Sequence, residues 1–258
     1  MPEPAELPLL RLARRAENDH TLLQGPWPAQ VRVLAAPASI EAATLPYAFA
    51  HAFVPIEDAR LRPLAAACRL LDDVTRLPPS GALAAQLEAH ALLAELFPHD
   101  PRVWDALRAV ATRAAWAATR RDAETEDDLA DAARDAVAVP RFTVAALALL
   151  AQDEGPRRLL DDALDRYAEA RARIEAVLGW RDDLAAQRAT YVTLALARAD
   201  SPVAEALYAD GIAQRLVDDA LAALAPLDRR LPVAVAREWI ALGRLAQQAV
   251  RMRATLAG

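Results

Sequence analysis

The chain has 258 residues, of which 55% are hydrophobic, and a formal net charge of −6. An acidic chain of this kind is not expected to bind nucleic acid through its bulk charge. Each long apolar run is broken by a charged residue or a proline, so no integral membrane segment is predicted. Residues 1–6 are acidic and lack the basic lead of a secretory signal, which predicts a cytoplasmic protein.

The basic residues and the single cysteine indicate which kinds of binding and reactivity to expect. Lysine is absent, so every basic residue is an arginine, a side chain suited to bidentate binding of phosphate. Cys68 is the only cysteine, which excludes an intrachain disulfide. Because Cys68 lies in an apolar helical run, the sequence favours a buried packing role over a reactive one.

The pattern of apolar residues predicts an all-α protein. Glycine is scarce, helix-forming alanine and leucine dominate, and apolar residues recur every three or four positions. Most of the 18 prolines fall between these periodic segments. The sequence predicts one domain of roughly ten helices spanning residues 1–258. The predicted helical segments are 8–24, a short one up to 36, 39–53 capped by Ser39, 57–76, 82–97, 101–121, one from 125 to Pro140 capped by Thr125, the strongly apolar and therefore buried 141–151, one from 155 to the Asp182–Asp183 pair, 190–199, 201–224 and 231–256.

Two pairs of aspartates, Asp72–Asp73 and Asp182–Asp183, follow apolar helical runs. Negative charge at the C-terminal end of a helix is disfavoured by roughly 0.3–1 kcal/mol, so such pairs need either good solvation or a cation. Mg²⁺ is suited to this position, since one or two carboxylates often hold it together with substrate phosphates. The neighbouring arginines that could bind phosphate oxygens are Arg76, Arg181 and Arg188.

A simpler interpretation of the same pairs stays open. Adjacent aspartates are common in an acidic chain, and three further pairs begin at Asp127, Asp161 and Asp218. The pair at Asp127 stands where a helix is predicted to begin, which is a structural position for an acid. Asp72–Asp73 and Asp182–Asp183 could likewise be ordinary solvated helix ends.

The residues around both pairs resemble a known family, the class I isoprenoid synthases, which comprise the trans-prenyltransferases and terpene synthases. Residues 69–73, Arg-Leu-Leu-Asp-Asp, resemble the start of the first aspartate-rich motif of that superfamily. Residues 180–191, Trp-Arg-Asp-Asp-Leu-Ala-Ala-Gln-Arg-Ala-Thr-Tyr, resemble the stretch around and after its second motif. There an acidic segment is followed by a short polar turn and a Thr-Tyr or Thr-Leu start of the next helix.

This resemblance implies an antiparallel helical bundle around a deep apolar cavity, with Mg²⁺ at its mouth and an allylic prenyl diphosphate as substrate. Loss of diphosphate would generate a carbocation that is then captured or cyclised. The implied metal ligands are Asp72, Asp73, Asp182, Asp183 and Glu175. The implied diphosphate-binding residues are Arg76, Arg141, Arg181 and Arg188. A homodimer is also implied, because the family habitually forms one.

The chain departs from the family pattern at both motifs. The first normally carries a further aspartate, where this chain has Val74-Thr75-Arg76. In the second, either Asp182–Asp183 is the motif without its third acid, or the motif lies upstream and keeps only Glu175. The family's lysines are absent, so Arg141 or Arg188 would replace them.

Three hypotheses follow: an active synthase, a catalytically degenerate relative serving as a partner subunit or prenyl-chain binder, and a helical protein–protein interaction domain.

Overall fold

A computed structural model describes residues 40–74, 77–119 and 123–257, apart from the side chains of 40 and 116–119. These residues form helices and connecting turns, with no strand among them. The helices are α1 (Ile40–Ala50), α2 (Asp58–Asp73), α3 (Pro79–Leu96), α4 (Arg102–Thr119), α5 (Glu126–Ala136), α6 (Ala138–Ala151), α7 (Gly155–Ala185), α8 (Tyr191–Leu196), a π-helical segment (Glu205–Ala209), α9 (Ile212–Leu224), α10 (Leu227–Arg230), α11 (Val233–Glu238) and α12 (Ile240–Leu256).

The chain divides into two compact units. Of the described residues, the first unit comprises those between 40 and 110, Val139–Leu160 and Leu231–Ala241, and the second comprises those between 111 and 138, Asp161–Arg230 and those between 242 and 257. The prediction that residues 1–258 form a single domain is not tested by this division and stays a prediction.

In the first unit, α2 packs against α1 and α3, and α11 packs against α1. The rings of Phe49 and Trp239 meet edge to face at 5.0 Å, an arrangement that aromatic pairs favour. A contact of 3.1 Å between Cys68 Sγ and Thr143 Oγ1 joins α2 to α6. Because residues 142–148 of α6 are all buried, the sequence prediction of a buried helix there is confirmed.

In the second unit, α8 packs against α5, α9 and the π-helical segment. Two of these helices begin with a reciprocal cap. The Thr125 side chain accepts a hydrogen bond from the backbone of Asp128, and Thr190 does the same with Thr193, while each partner side chain accepts in return. Such capping boxes satisfy backbone N–H groups that have no partner within the helix. The predicted cap at Thr125 is therefore confirmed.

The structure corrects three predicted boundaries. The predicted helix 201–224 is divided, because Gly211 adopts φ +76° and separates the π-helical segment from α9. The predicted helix 231–256 is divided at Trp239. Pro140 does not end a helix but lies in the first turn of α6, where its missing N–H removes no helical bond. The predicted helices before residue 39 and the cap at Ser39 lie outside the described residues.

None of the helices in the described part of the chain has the length and apolarity needed to cross a membrane. The cytoplasmic location inferred from sequence stays a prediction.

The packing of α7 predicts a contrast between two leucines of that helix. Leu164 is fully buried, whereas Leu178 is 56% exposed. Leu164→Ala is expected to lower the free energy of unfolding by about 2–5 kcal/mol, because it leaves a cavity. Leu178→Ala makes the same chemical change at the surface and should stay within about 0.5 kcal/mol of the parent protein in urea denaturation. Equal losses in the two variants would contradict the described orientation of α7.

Candidate functional site

The first aspartate pair stands at the C-terminal end of α2. The helix ends at Asp73, and the following Val74 N–H still bonds the carbonyl of Leu70 at 3.1 Å. The two acids differ in exposure, since Asp72 is half-buried and Asp73 is only 1% exposed. The pair is therefore not a uniformly solvated helix end.

Asp73 has a positively charged neighbour on its own helix. Arg69 lies four residues earlier, is itself buried, and brings its Nε to 4.0 Å from Asp73 Oδ2. Burial lowers the pKa of the Arg69 guanidinium, and the negative charge of Asp73 opposes that shift. Buried charges are tolerated when they are paired, so Arg69 and Asp73 form an internal ion pair.

Cys68 precedes Arg69 on the same helix and is an uncharged side chain. Burial raises the pKa of the Cys68 thiol to about 12; the bond with Thr143 opposes the rise and the charge of Asp72 adds to it. At neutral pH the group is therefore an uncharged thiol, and the thiolate is the nucleophilic form. This agrees with the predicted packing role.

The second pair stands near the C-terminal end of α7. Asp182 is exposed, whereas Asp183 is 8% exposed. Arg188 donates from Nε at 2.9 Å to Asp183 Oδ1, and its Nη2 lies 2.7 Å from the same oxygen. The backbone N–H of Arg188 also donates to the Asp183 carbonyl at 2.9 Å. Residues 183–188 are thus closed into a turn by side-chain and backbone bonds.

This turn leads directly into α8. Thr193 Oγ1 donates to the Arg188 carbonyl at 2.9 Å and accepts from the Thr190 N–H at 2.7 Å. Gln187, inside the turn, adopts φ +50°, a left-handed conformation that costs a residue with a Cβ energy. The bonds of Arg188 and Thr193 hold the turn in this conformation.

The remaining predicted site residues have varied surroundings. Glu175 is exposed and accepts a hydrogen bond from Arg171 Nε at 2.7 Å. The guanidinium of Arg181 lies 5.2 Å from the centre of the Trp180 ring. Arg141 is half-buried on α6, and Arg76 lies outside the described residues.

The sequence missed the roles of Arg69 and of a cluster on α5, α7 and α8. Arg69 precedes Asp73 by four residues, a spacing that places two side chains on one helix face and could have revealed the pair. In the cluster, Glu169 accepts from Arg134 Nε at 2.8 Å and lies 3.5 Å from Arg173, whose guanidinium is 4.5 Å from the Tyr191 ring centre. Burial is the main cause that raises the pKa of Tyr191. Its members are distant in sequence, so no local pattern predicts this cluster.

The carboxylates fit a divalent cation only in part. Within neither unit do the described residues bring together three or more His, Cys, Asp or Glu side chains that could hold a metal ion. Asp73 and Asp183 are buried beside arginines, which opposes cation binding at those two carboxylates. Asp72 and Asp182 are more accessible, and Mg²⁺ needs only one or two carboxylates when phosphates supply other oxygens.

The left-handed conformation of Gln187 predicts a stabilising substitution. Gln187→Gly should raise the free energy of unfolding by about 0.5–1 kcal/mol, because glycine adopts this conformation without a steric penalty. Gln187→Ala is the matched control, since it keeps the Cβ and should bring no comparable gain. Urea denaturation followed by circular dichroism measures both changes, and a loss of stability in the glycine variant would contradict the described turn.

The burial of Cys68 predicts resistance to alkylation. The folded protein should show almost no labelling by iodoacetamide at pH 8, because the thiol is both inaccessible and protonated. Labelling should become complete in denaturant, as measured by intact-protein mass spectrometry. Rapid labelling of the folded protein would show that the α2–α6 contact opens readily.

Known proteins resemble this chain in three-dimensional structure but not detectably in sequence. Neither a protein-family model nor a curated protein matches the sequence. The structure is similar to a geranyltranstransferase from Thermotoga maritima, with a TM-score of 0.56 and 13% identity, covering 95% of this chain and 99% of that one. It is also similar to an FPP/GFPP synthase from Zymomonas mobilis, with a TM-score of 0.53 and 15% identity, covering 92% and 99% respectively. The chain therefore has the all-α isoprenoid synthase fold that the sequence predicted.

Proposed function

We propose that this protein binds an allylic prenyl diphosphate and promotes its ionisation with Mg²⁺, as a prenyltransferase or terpene synthase does. The main support is the fold, which is similar over nearly the whole chain to structures named as a geranyltranstransferase and an FPP/GFPP synthase. The two acidic pairs stand at or near the ends of α2 and α7 and are the candidate source of the acids for such chemistry.

In this proposal Asp72 and Asp182 are the principal metal ligands, because each is the more exposed acid of its pair. Mg²⁺ held there would neutralise charge on the diphosphate and stabilise it as a leaving group. Glu175 is a further candidate ligand, although its carboxylate is bonded to Arg171.

Binding of the diphosphate is assigned to arginines. Arg141, Arg181 and Arg76 are the candidates, since a guanidinium can donate two parallel hydrogen bonds to phosphate oxygens. Arg188 was predicted for the same role, but its guanidinium is bonded to Asp183. We assign Arg188 and Arg69 to positioning, because each holds a buried aspartate next to an accessible one.

A second candidate function is supported by these same ion pairs. An arginine lies beside one acid of each pair, and both motifs lack at least one acid of the family pattern. A protein that keeps the fold and binds a prenyl chain or a partner subunit, without ionising the substrate, would have this arrangement. A fold can persist when the chemistry of its site is lost.

The deciding experiment incubates the protein with geranyl, farnesyl and geranylgeranyl diphosphates, with and without Mg²⁺, and measures pyrophosphate release. Release that requires Mg²⁺ is expected with at least one substrate. Asp72→Asn and Asp182→Asn should each lower the rate at least about tenfold, equivalent to about 1.4 kcal/mol of barrier. Asp219→Asn is the matched control, because it removes an exposed acid from an Asp–Asp pair outside the proposed site.

Calorimetric binding of the same diphosphates separates the two candidates. Binding without pyrophosphate release would favour the non-catalytic relative. Neither binding nor release across the three substrates would refute both the synthase and the prenyl-chain binder.

A further inference from the structure

Arg171 and Glu175 form an ion pair on α7, the helix that also carries Asp182. Arg171 Nε donates to Glu175 Oε1 at 2.7 Å, across the four-residue spacing that brings two side chains together on a helix. The two side chains are 52% and 59% exposed. Exposed pairs of this kind contribute little to stability, because water solvates both charges well. The pair can therefore open at small cost when a stronger partner for either group is present.

This ion pair shares one face of α7 with two further exposed residues. Positions 171, 175, 178 and 182 follow one another at intervals of four, three and four, so they lie along one side of the helix. All four residues are exposed. The face thus carries a guanidinium, a carboxylate, the apolar Leu178 and the carboxylate of Asp182. Arg171 lies outside both stretches that resemble the family motifs, so the resemblance assigns it no role.

The guanidinium of Arg171 has protein close to it although it is reachable from solvent. Burial is the largest influence on the pKa of Arg171 and lowers it, but the hydrogen bond and charge of Glu175, together with Tyr167, raise the pKa above its usual value. Tyr167 stands four residues before Arg171 and is itself buried. A guanidinium has five N–H donors, and the bond to Glu175 uses Nε. Arg171 is therefore held in place on one side and keeps further donors for another acceptor.

We propose that the Arg171–Glu175 ion pair is a ligand-dependent switch. In the free protein Arg171 neutralises Glu175. When a diphosphate binds, the guanidinium turns to the phosphate oxygens and releases Glu175 to bind Mg²⁺. Phosphate oxygens compete well for the guanidinium, because they accept two parallel hydrogen bonds and carry more negative charge than one carboxylate. This inference rests on the proposed function, to which it adds Arg171 and an order of events.

The switch couples the two ligands of the site. Diphosphate and Mg²⁺ each bind better when the ion pair is open, so each strengthens the binding of the other, and this coupling is reciprocal. In the free protein the closed pair opposes the binding of a cation at Glu175. The switch thereby accounts for a carboxylate that is both bonded to an arginine and a candidate metal ligand.

The first test measures the two ligands separately. Mn²⁺ replaces Mg²⁺ because its binding is followed directly by electron paramagnetic resonance, and pyrophosphate is titrated calorimetrically in the presence of EDTA. Arg171→Ala should weaken pyrophosphate binding at least about tenfold, since it removes charged hydrogen bonds. The same variant should tighten Mn²⁺ binding at least about twofold, since it opens the ion pair. General damage to the site would weaken both.

The matched control is another ion pair of α7. Arg166 Nε lies 3.1 Å from Asp162 Oδ2 at the same four-residue spacing. Arg166→Ala removes an arginine from the same helix and opens the same kind of pair, so it should change neither affinity. All variants are expected to keep the circular dichroism of the parent protein, because they alter side chains in contact with solvent.

A double-mutant cycle separates the switch from simple charge effects. Glu175→Gln should tighten pyrophosphate binding at least about twofold, because it releases Arg171. In the Arg171→Ala background the same substitution should leave pyrophosphate affinity unchanged, whereas independent charge effects would add. Additive effects, or an Arg171→Ala variant that binds both ligands as the parent does, would overturn the switch alone. A parent protein that binds no pyrophosphate, with or without Mn²⁺, would refute the proposed function together with the switch.

Discussion

A buried aspartate held beside an arginine is the interaction on which both candidate motifs depend. At the end of α2 the pair is Asp73 with Arg69, and near the end of α7 it is Asp183 with Arg188. A carboxylate cannot be buried as an anion unless a positive charge or several hydrogen bonds compensate for lost hydration. In each pair an arginine lies beside the more buried acid and supplies positive charge.

This constraint links the fold to the proposed function. A metal-bound diphosphate needs carboxylates that can reach it, and Asp72 and Asp182 are the more exposed members of their pairs. Each of these acids is adjacent in sequence to an aspartate that is paired with an arginine. At the second pair, the bond from Arg188 to Asp183 and the bond from Thr193 to the Arg188 carbonyl also close the turn that leads into α8. The same arginines reduce the negative charge available to a cation. The two candidate functions differ in one respect: in a synthase Asp72 and Asp182 bind enough Mg²⁺ to ionise the substrate, and in a non-catalytic relative they do not.

The abundance of alanine and leucine in the chain affects its surface as well as its core. Small residues let α3 approach α2 closely, as Gly81, Ala85 and Ala89 do on its inner face. The same composition continues on the other side of α3, where Leu83 and Leu87 are exposed.

The sequence by itself determined the helical class and most helix positions, and its resemblance to the isoprenoid synthases indicated the fold. Helix periodicity and capping are local properties, so the start of α5 at Thr125 and the buried stretch of α6 followed directly from neighbouring residues. The same local patterns missed the divisions at Gly211, which adopts a left-handed conformation, and at Trp239. Exposure was decided by the tertiary structure alone, since the letters Asp-Asp are identical whether a carboxylate faces water or an arginine. Only the folded chain distinguished Asp72 from Asp73 and Asp182 from Asp183, because burial depends on what packs around a side chain and not on its neighbours in sequence.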